Sequence, residues 1–347
     1  MRKIEVFAPN ISHGGGKILL EQLLDALINL NLLKKAYVSY NLYNHAQKYD
    51  IDLFKFYKSN IIHRLYSQYE IHNSVEVNRK IIFFGNWPPF MKVNGTSILY
   101  LHNKLLLTDN SKLGLSKLLK IKLSLHKKII KLFKHNLNVI YVQTREMKEL
   151  ADFVLNPVKV ELKPFVSPKV LNQKNKKKYD FIYSSYGYAY KNHGLLLKAW
   201  VLLAKENIFP SLFLTLDSKM DNVLIDRIEN LKKSFDLKID IGKDLKNDDV
   251  YNVYAKSNAL IWPSFIESFG LPLIEAAVNE LDIISANLPY VYDILEPSLV
   301  FDPNDEKDLV NTIKNYLLKN EHKIKKSKLN IKIDSADAFI KSIKWNY

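Results

Sequence analysis

The sequence predicts an α/β protein of two domains, and three observations carry that expectation. The chain has 347 residues, more than one hydrophobic core usually serves. Short β-rich runs alternate with amphipathic helical segments over nearly the whole length, the pattern of parallel sheets with helical crossovers. One stretch, residues 163–178, interrupts the alternation with three polar or proline-broken clusters, KPF, SPK and NQKNKKK, and reads as an interdomain linker.

In the first half, strands are expected at 3–8, 36–40, 80–84, 97–101, 139–142 and 159–162. Between the first two, Leu19, Leu20, Leu23, Leu24 and Leu27 recur at helical spacing and mark one buried helix face. Past the linker a second series follows at 181–184, 212–216, 259–262, 283–285 and 299–301, repeating the architecture without repeating the sequence. The domains are therefore expected at 1–165 and 176–330. A last short helix at 336–343 lacks apolar partners of its own, so residues 331–347 are expected to return to the first domain.

Composition narrows the function classes. With 47% hydrophobic residues, 25% charged and 20 tyrosines the chain is globular rather than disordered or fibrous. A net charge of +15 implies an anionic partner but does not choose among nucleic acid, lipid headgroups and phosphorylated small molecules. The absence of cysteine excludes disulfides, thiolate nucleophiles and cysteine zinc sites, and fits a reducing cytoplasm. The opening MRKIEVFAPN is too brief an apolar run for a signal peptide, and no stretch approaches eighteen uninterrupted apolar residues, so any membrane contact is expected to be peripheral.

The densest chemical signal is PSFIESFGLPLIEAA, residues 263–277. Pro272 suits the first helical position, Leu271 before it cannot cap, and Gly270 permits close backbone approach. The N–H groups around Phe269 and Leu271 are then free to hold an anion or a sugar hydroxyl. Glu275 lies one turn into the helix, where a carboxylate can accept two hydrogen bonds from a ribose diol, and Glu267 sits on the approach loop. Taken singly, each glutamate is better explained as a dipole-complementing or solvated acid, but the whole constellation is not.

A second signal, HGGGK at 13–17, holds three of only ten glycines between the first strand and the first helix. Gly14, Gly15 and Gly16 would let backbone amides approach a phosphate, and Lys17 in the first turn opposes the helix dipole unless an anion lies nearby. The run is neither a P-loop nor GxGxxG, so neither ATP nor NAD is read from it. In YSSYGYAYKNHGLLLKAW, 183–200, a helix is expected to begin near His193, and Lys191 just ahead of it can neutralise a diphosphate leaving group. His102 falls at the end of an expected strand, where ligand sites of open parallel sheets gather. Residues 111–136 carry eight lysines and no acid among leucines and isoleucines. Such a helix suits an anionic membrane surface, and equally a core-packed helix with a solvated cationic face. Asp50-Ile51-Asp52 resembles a metal-binding triplet but belongs to no strand end, so no metal is expected.

Residues 257–295, SNALIWPSFIESFGLPLIEAAVNELDIISANLPYVYDIL, closely resemble the donor-binding signature of retaining glycosyltransferases of family 4, which have the GT-B fold of two Rossmann-like domains facing each other across a cleft. The resemblance continues in YKNHGLLLKAW and YVQTREMKEL and reaches APNISHGGGKILLEQLL and FFGNWPP. It implies a nucleotide-diphosphate sugar as donor substrate, no required cofactor, and a glycan or lipid-linked acceptor in lipopolysaccharide, capsule or other surface polysaccharide assembly. It assigns Glu275 to the ribose, and Glu267 with Ser268, Phe269, Gly270 and Leu271 to the donor. Lys191 and Ser185 would face the diphosphate, Gly14, Gly15 and Gly16 would line its other side, and His102 would face the sugar. The catalytic set it implies is thus His102, Lys191 and Glu267.

One departure stands out. Many relatives carry an arginine five or six positions before the lysine, where this chain has Tyr186 and Ser185. Two rivals share the scaffold: a nucleotide-sugar epimerase, and a degenerate transferase serving as scaffold in a polysaccharide assembly complex. Nucleic acid is not an expected partner. A cytoplasmic protein, peripheral at the inner membrane face through residues 112–134, is the resulting expectation.

Overall fold

The computed structural model describes residues 3–73, 79–111, 113–171, 176–318 and 324–343. They divide into two compact units, one within Met1–Asn110, Ser116–Ser167 and Lys332–Tyr347, the other within Ser111–Leu115 and Pro168–Ile331.

The first unit is built on seven strands: β1 Ile4–Ala8, β2 Leu33–Ser39, β3 Phe54–Tyr57, β4 Lys80–Phe84, β5 Thr96–Tyr100, β6 Val139–Val142 and β7 Lys159–Leu162. Their order is β3-β2-β1-β4-β5-β6-β7, every pairing parallel. Strands β1, β4 and β6 are buried at every residue, as a parallel sheet covered on both faces requires. The chain winds outward from β1 through β2 to β3, then returns to β4 on the other side. The order therefore reverses between β1 and β4, the position where open α/β sheets bind ligands.

The second unit repeats the plan. Its strands are β8 Tyr179–Ser184, β9 Leu212–Leu216, β10 Ile239–Lys243, β11 Ser257–Trp262, β12 Asp282–Ala286, β13 Leu295–Glu296, β14 Leu299–Phe301 and β15 Lys328–Leu329. Six form a parallel sheet ordered β10-β9-β8-β11-β12-β14, while β13 and β15 make a small antiparallel pair. Here the reversal falls between β8 and β11.

Four strands escaped the sequence reading: the two-residue strands β13 and β15, and β3 and β10, which lie at sheet edges. An edge strand is covered on fewer sides, so FKFY and IDIGK dilute their apolar residues with lysine, aspartate and glycine and lose the buried-strand signature. The expected strand at 36–40 starts earlier, at Leu33, and Tyr40 belongs to the following 3-10 turn.

The segment expected to be a linker is partly core. Phe165 is wholly buried, and the Val166 N–H donates to the Asp334 carbonyl at 3.0 Å. Residues 172–175 of that stretch lie outside the described residues. The C-terminal helix Ala336–Ser342 sits in the first unit, where Phe339 stacks on Phe165 at 4.5 Å and meets Tyr100 and Tyr141 edge-on. Phe165 and Phe339 are 174 residues apart, so their pairing could not be read from local pattern.

Candidate active site

In the second unit the loops leaving β8 and β11, the strands flanking the reversal, converge. Lys191 ends a 3-10 turn, Ala189–Lys191, after β8, and Glu267 lies on the loop after β11. The Lys191 Nζ is 2.6 Å from Glu267 Oε1, with both side chains largely buried. Two of the three expected catalytic residues are therefore one ion pair.

The pair is held by its surroundings. The buried Tyr183 hydroxyl donates to the Lys191 carbonyl at 2.6 Å, and the Phe265 N–H donates to the Tyr190 carbonyl at 2.8 Å, which stitches the two loops together. The Tyr190 and Trp262 rings lie 5.5 and 5.4 Å from the ammonium, within cation–π range. Asn192 takes the left-handed conformation at φ 57° and starts the helix His193–Lys205, whose first residue is the one expected. Ser185 is buried, its hydroxyl donating to the Tyr186 carbonyl at 3.3 Å. Tyr186 heads a ladder of rings, with Tyr188 and Tyr190 stacked 5.5 Å apart.

The helix after β11 is Leu271–Val278, one residue longer at its start than Pro272 suggested. Gly270 is the cap, in the left-handed conformation at φ 62°, so the turn is set by a residue without a Cβ. Proline tolerates any place in the first turn because its missing N–H is not needed there, which is why it misplaced the boundary. The N–H groups of Phe269, Gly270 and Leu271 donate to no carbonyl or side chain among the described residues. They follow directly on half-buried Ser268 and form a row of unused donors at a helix N-terminus. One turn further in, Glu275 is 5% exposed and accepts a hydrogen bond from the Tyr254 hydroxyl at 3.2 Å. Burial pushes its pKa up, against the opposing pull of the Tyr254 and Tyr251 hydroxyls.

In the first unit, residues gather at the ends of β1, β4 and β5. Gly14, Gly15 and Gly16 form the first turn of the helix Gly14–Asn29, which His13 precedes without a side-chain cap. A Cβ built on Gly16 would lie 3.1 Å from His102 Nε2, so this glycine lets the helix start abut the histidine. The Asn86 side chain holds His102 from the other side: its Oδ1 accepts from the His102 N–H at 2.7 Å, and its Nδ2 faces Nε2 at 3.3 Å. With Nδ2 as donor, Nε2 is the unprotonated nitrogen. Burial lowers the His102 pKa to about 4, partly opposed by the Tyr100 backbone, so the ring is neutral at pH 7 and offers hydrogen bonding rather than charge.

Lys17 does not need the anion its position suggested, because Glu21 lies one turn on with its carboxylate 3.7 Å away. Asp50 caps a 3-10 turn, accepting from the Asp52 N–H at 3.0 Å. The lysine-rich segment forms a helix, Lys117–Phe133, that buries Leu123 and Ile130 but leaves Leu118, Ile121, Leu125 and Leu132 exposed. Among the described residues no helix is long and apolar enough to cross a membrane.

The sequence reading missed Asn86, Tyr254, Tyr190 and Trp262. Asn86 was within reach, since FFGNWPP was singled out as a motif. Tyr254 reaches Glu275 from 21 residues away and Trp262 reaches Lys191 from far along the chain, so neither carries a local signature, whereas Tyr190 adjoins Lys191.

Two doubly wound parallel units, each with candidate residues at its strand-order reversal, define the class as GT-B. Solved structures agree. Sucrose-phosphate synthase from Thermosynechococcus elongatus superposes with a TM-score of 0.66 at 16% identity, covering 92% of this chain and 90% of that one. WaaG, titled a glycosyltransferase involved in lipopolysaccharide biosynthesis, gives 0.64 at 11% identity over 91% of each chain. Residues 167–332 match the family described as Glycosyl transferases group 1. The O-antigen chain mannosyltransferase RfbU of Salmonella typhimurium is 38% identical over 64 residues, and the O-antigen chain mannosyltransferase B of Escherichia coli is 33% identical over 60. These alignments span 18% and 17% of this chain, and 18% and 16% of the relatives' own lengths.

Proposed function

We propose that this protein is a retaining, metal-independent glycosyltransferase. It moves a hexose from a nucleotide-diphosphate sugar to a glycan or lipid-linked acceptor in surface polysaccharide assembly. The observation that carries the reading is the Lys191–Glu267 ion pair beside the open N–H row at Phe269, Gly270 and Leu271, one helical turn from buried Glu275. A cation and oriented amides suit a departing diphosphate, and a sequestered carboxylate suits a ribose diol. In this mechanism the bond from C1 to the diphosphate oxygen breaks on the face where the acceptor hydroxyl attacks. The departing oxygen takes the acceptor proton, so no enzymic nucleophile is needed, and neutral His102 bonds a sugar hydroxyl. The two O-antigen relatives are named mannosyltransferases, which makes mannose the first sugar to try.

The Lys117–Phe133 helix supports peripheral attachment to an anionic bilayer at the cytoplasmic face. Its exposed leucines and isoleucine form one stripe at helical spacing, flanked by lysines. Thermal unfolding with a panel of guanosine, uridine and thymidine diphosphate sugars tests the donor reading, since a ligand that binds the folded state raises Tm. The cognate donor shifts Tm upward, and NMR of the product shows the anomer retained. No shift with any donor, or an inverted product, overturns the proposal.

A further inference from the structure

The helix Ile61–Asn73 of the first unit contains a cation that no described residue neutralises. Gln68 pins this helix to the loop after β4: its amide donates to the Pro88 carbonyl at 3.2 Å and its carbonyl accepts the Phe90 N–H at 3.3 Å. One turn earlier, the Arg64 guanidinium lies 4.2 Å from the centre of the Trp87 ring. The His126 ring lies tilted against the same ring at 4.4 Å while its Nε2 donates to the Asn86 carbonyl at 2.7 Å. Arg64 Nε is buried without a hydrogen-bond partner, and among the described residues the guanidinium has no carboxylate within ion-pair distance. The residue is half-buried, and burial pulls its pKa down from the ordinary value. An arginine stays protonated whatever its surroundings, so such a site costs stability unless an anion joins it. Trp87 follows Asn86, the residue that holds His102, at the ligand-binding end of the sheet.

We infer that Arg64, oriented on Trp87, binds a phosphate group of the acceptor substrate. The guanidinium fork matches a phosphate bidentately, and the ring fixes the plane in which the fork lies. The inference rests on the first unit serving the acceptor in the proposed transfer, but the site itself is independent of the donor residues in the second unit.

Titration of the full chain with decyl phosphate and with inorganic phosphate, followed by tryptophan fluorescence, tests it. Decyl phosphate is expected to change the emission in the wild type and in Lys191→Ala. In Arg64→Gln the affinity falls at least tenfold, and in Trp87→Phe the signal is lost. Arg64→Gln keeps or raises Tm, because it removes an uncompensated charge, and keeps the donor-induced Tm shift. Tighter binding of decyl than of inorganic phosphate assigns the group to a lipid carrier, whereas equal affinities assign it to a sugar phosphate. Unchanged phosphate affinity in Arg64→Gln, or loss of it in Lys191→Ala, overturns the inference. A wild type that binds phosphate at Arg64 yet no nucleotide sugar removes the donor reading and leaves this one standing.

Discussion

Lys191 and Glu267 come from loops 76 residues apart and meet as one ion pair, Nζ to Oε1 at 2.6 Å, inside a cage made by Tyr190 and Trp262. In the proposed transfer the donor diphosphate shares the Lys191 ammonium with that carboxylate. Glu267→Gln is accordingly expected to tighten binding of the free nucleoside diphosphate several-fold while lowering turnover. Lys191→Ala should cut kcat by about 10²–10³, the loss typical of one transition-state charge donor. Calorimetry with the diphosphate and steady-state kinetics separate the two effects. Weaker diphosphate binding in Glu267→Gln would show that the pair does not compete with the donor.

Glu275 makes a prediction with a sign. Its folded pKa is raised, so above the ordinary carboxyl value of 4.5 the folded protein keeps a proton that the unfolded chain has lost. Stability from this group is therefore greatest in acid and declines as pH climbs through the raised value. Donor affinity moves oppositely, because a ribose diol needs the ionised carboxylate. Glu275→Gln should flatten both profiles, and Glu275→Ala should weaken donor binding by about 10- to 100-fold, the range for a charged hydrogen bond. A pH series of donor titrations that shows the same slope in Glu275→Gln as in the wild type rules this out.

Gly16 is argued from a close approach. A methyl group there would crowd His102 Nε2 at 3.1 Å, so Gly16→Ala should lower turnover by roughly tenfold at nearly unchanged Tm. Gly194 in the second unit has nothing within 4 Å of an added Cβ. Gly194→Ala should keep activity and gain about 0.4–1 kcal/mol from the reduced freedom of the unfolded chain. Equal kinetics in the two alanine variants would remove the role given to Gly16.

Three buried histidines should make the protein acid-sensitive. Burial lowers His102 and His126 to about 4 and His193 to about 3, against an ordinary value of 6.5. Between these limits the unfolded chain binds protons that the folded one refuses, so stability falls as pH drops from 6.5 toward 4, by on the order of a few kcal/mol in all. His193→Leu should lessen that slope in urea titrations run across the window. An unaltered slope would mean that this ring titrates normally.

The exposed stripe on the Lys117–Phe133 helix predicts binding to phosphatidylglycerol vesicles. Leu118→Ser, Ile121→Ser, Leu125→Ser and Leu132→Ser combined should reduce co-sedimentation more than tenfold with every lysine in place, since each insertion contributes about 1.5–3 kcal/mol at full burial. Full retention in the fourfold variant would assign any vesicle binding to charge alone.

The central strands were legible because a parallel sheet buried on both faces writes itself as continuous apolar runs: β4 and β6 lie where the sequence placed them. The edge strands β3 and β10 were not, because partial exposure lets polar residues in. Gly270 and Pro272 announced a helix start, but only the backbone showed that the glycine, not the proline, fixes its first residue. Lys17 differs from these, since its partner Glu21 lies four residues on in the expected helix and the pairing follows from local spacing.

By itself, then, the sequence determined the fold class, the interior strands and the motifs at the strand ends, all of which follow from local hydrophobic period and from residues with special backbone freedom. The tertiary structure decided which of those motifs touch. Lys191 met Glu267, Gly16 met His102, Phe165 met Phe339, and Arg64 was set on Trp87 with no carboxylate partner among the described residues. Contacts of this kind depend on how strands are ordered across a sheet, and that order is fixed by the packing of the whole core rather than by any neighbouring residues.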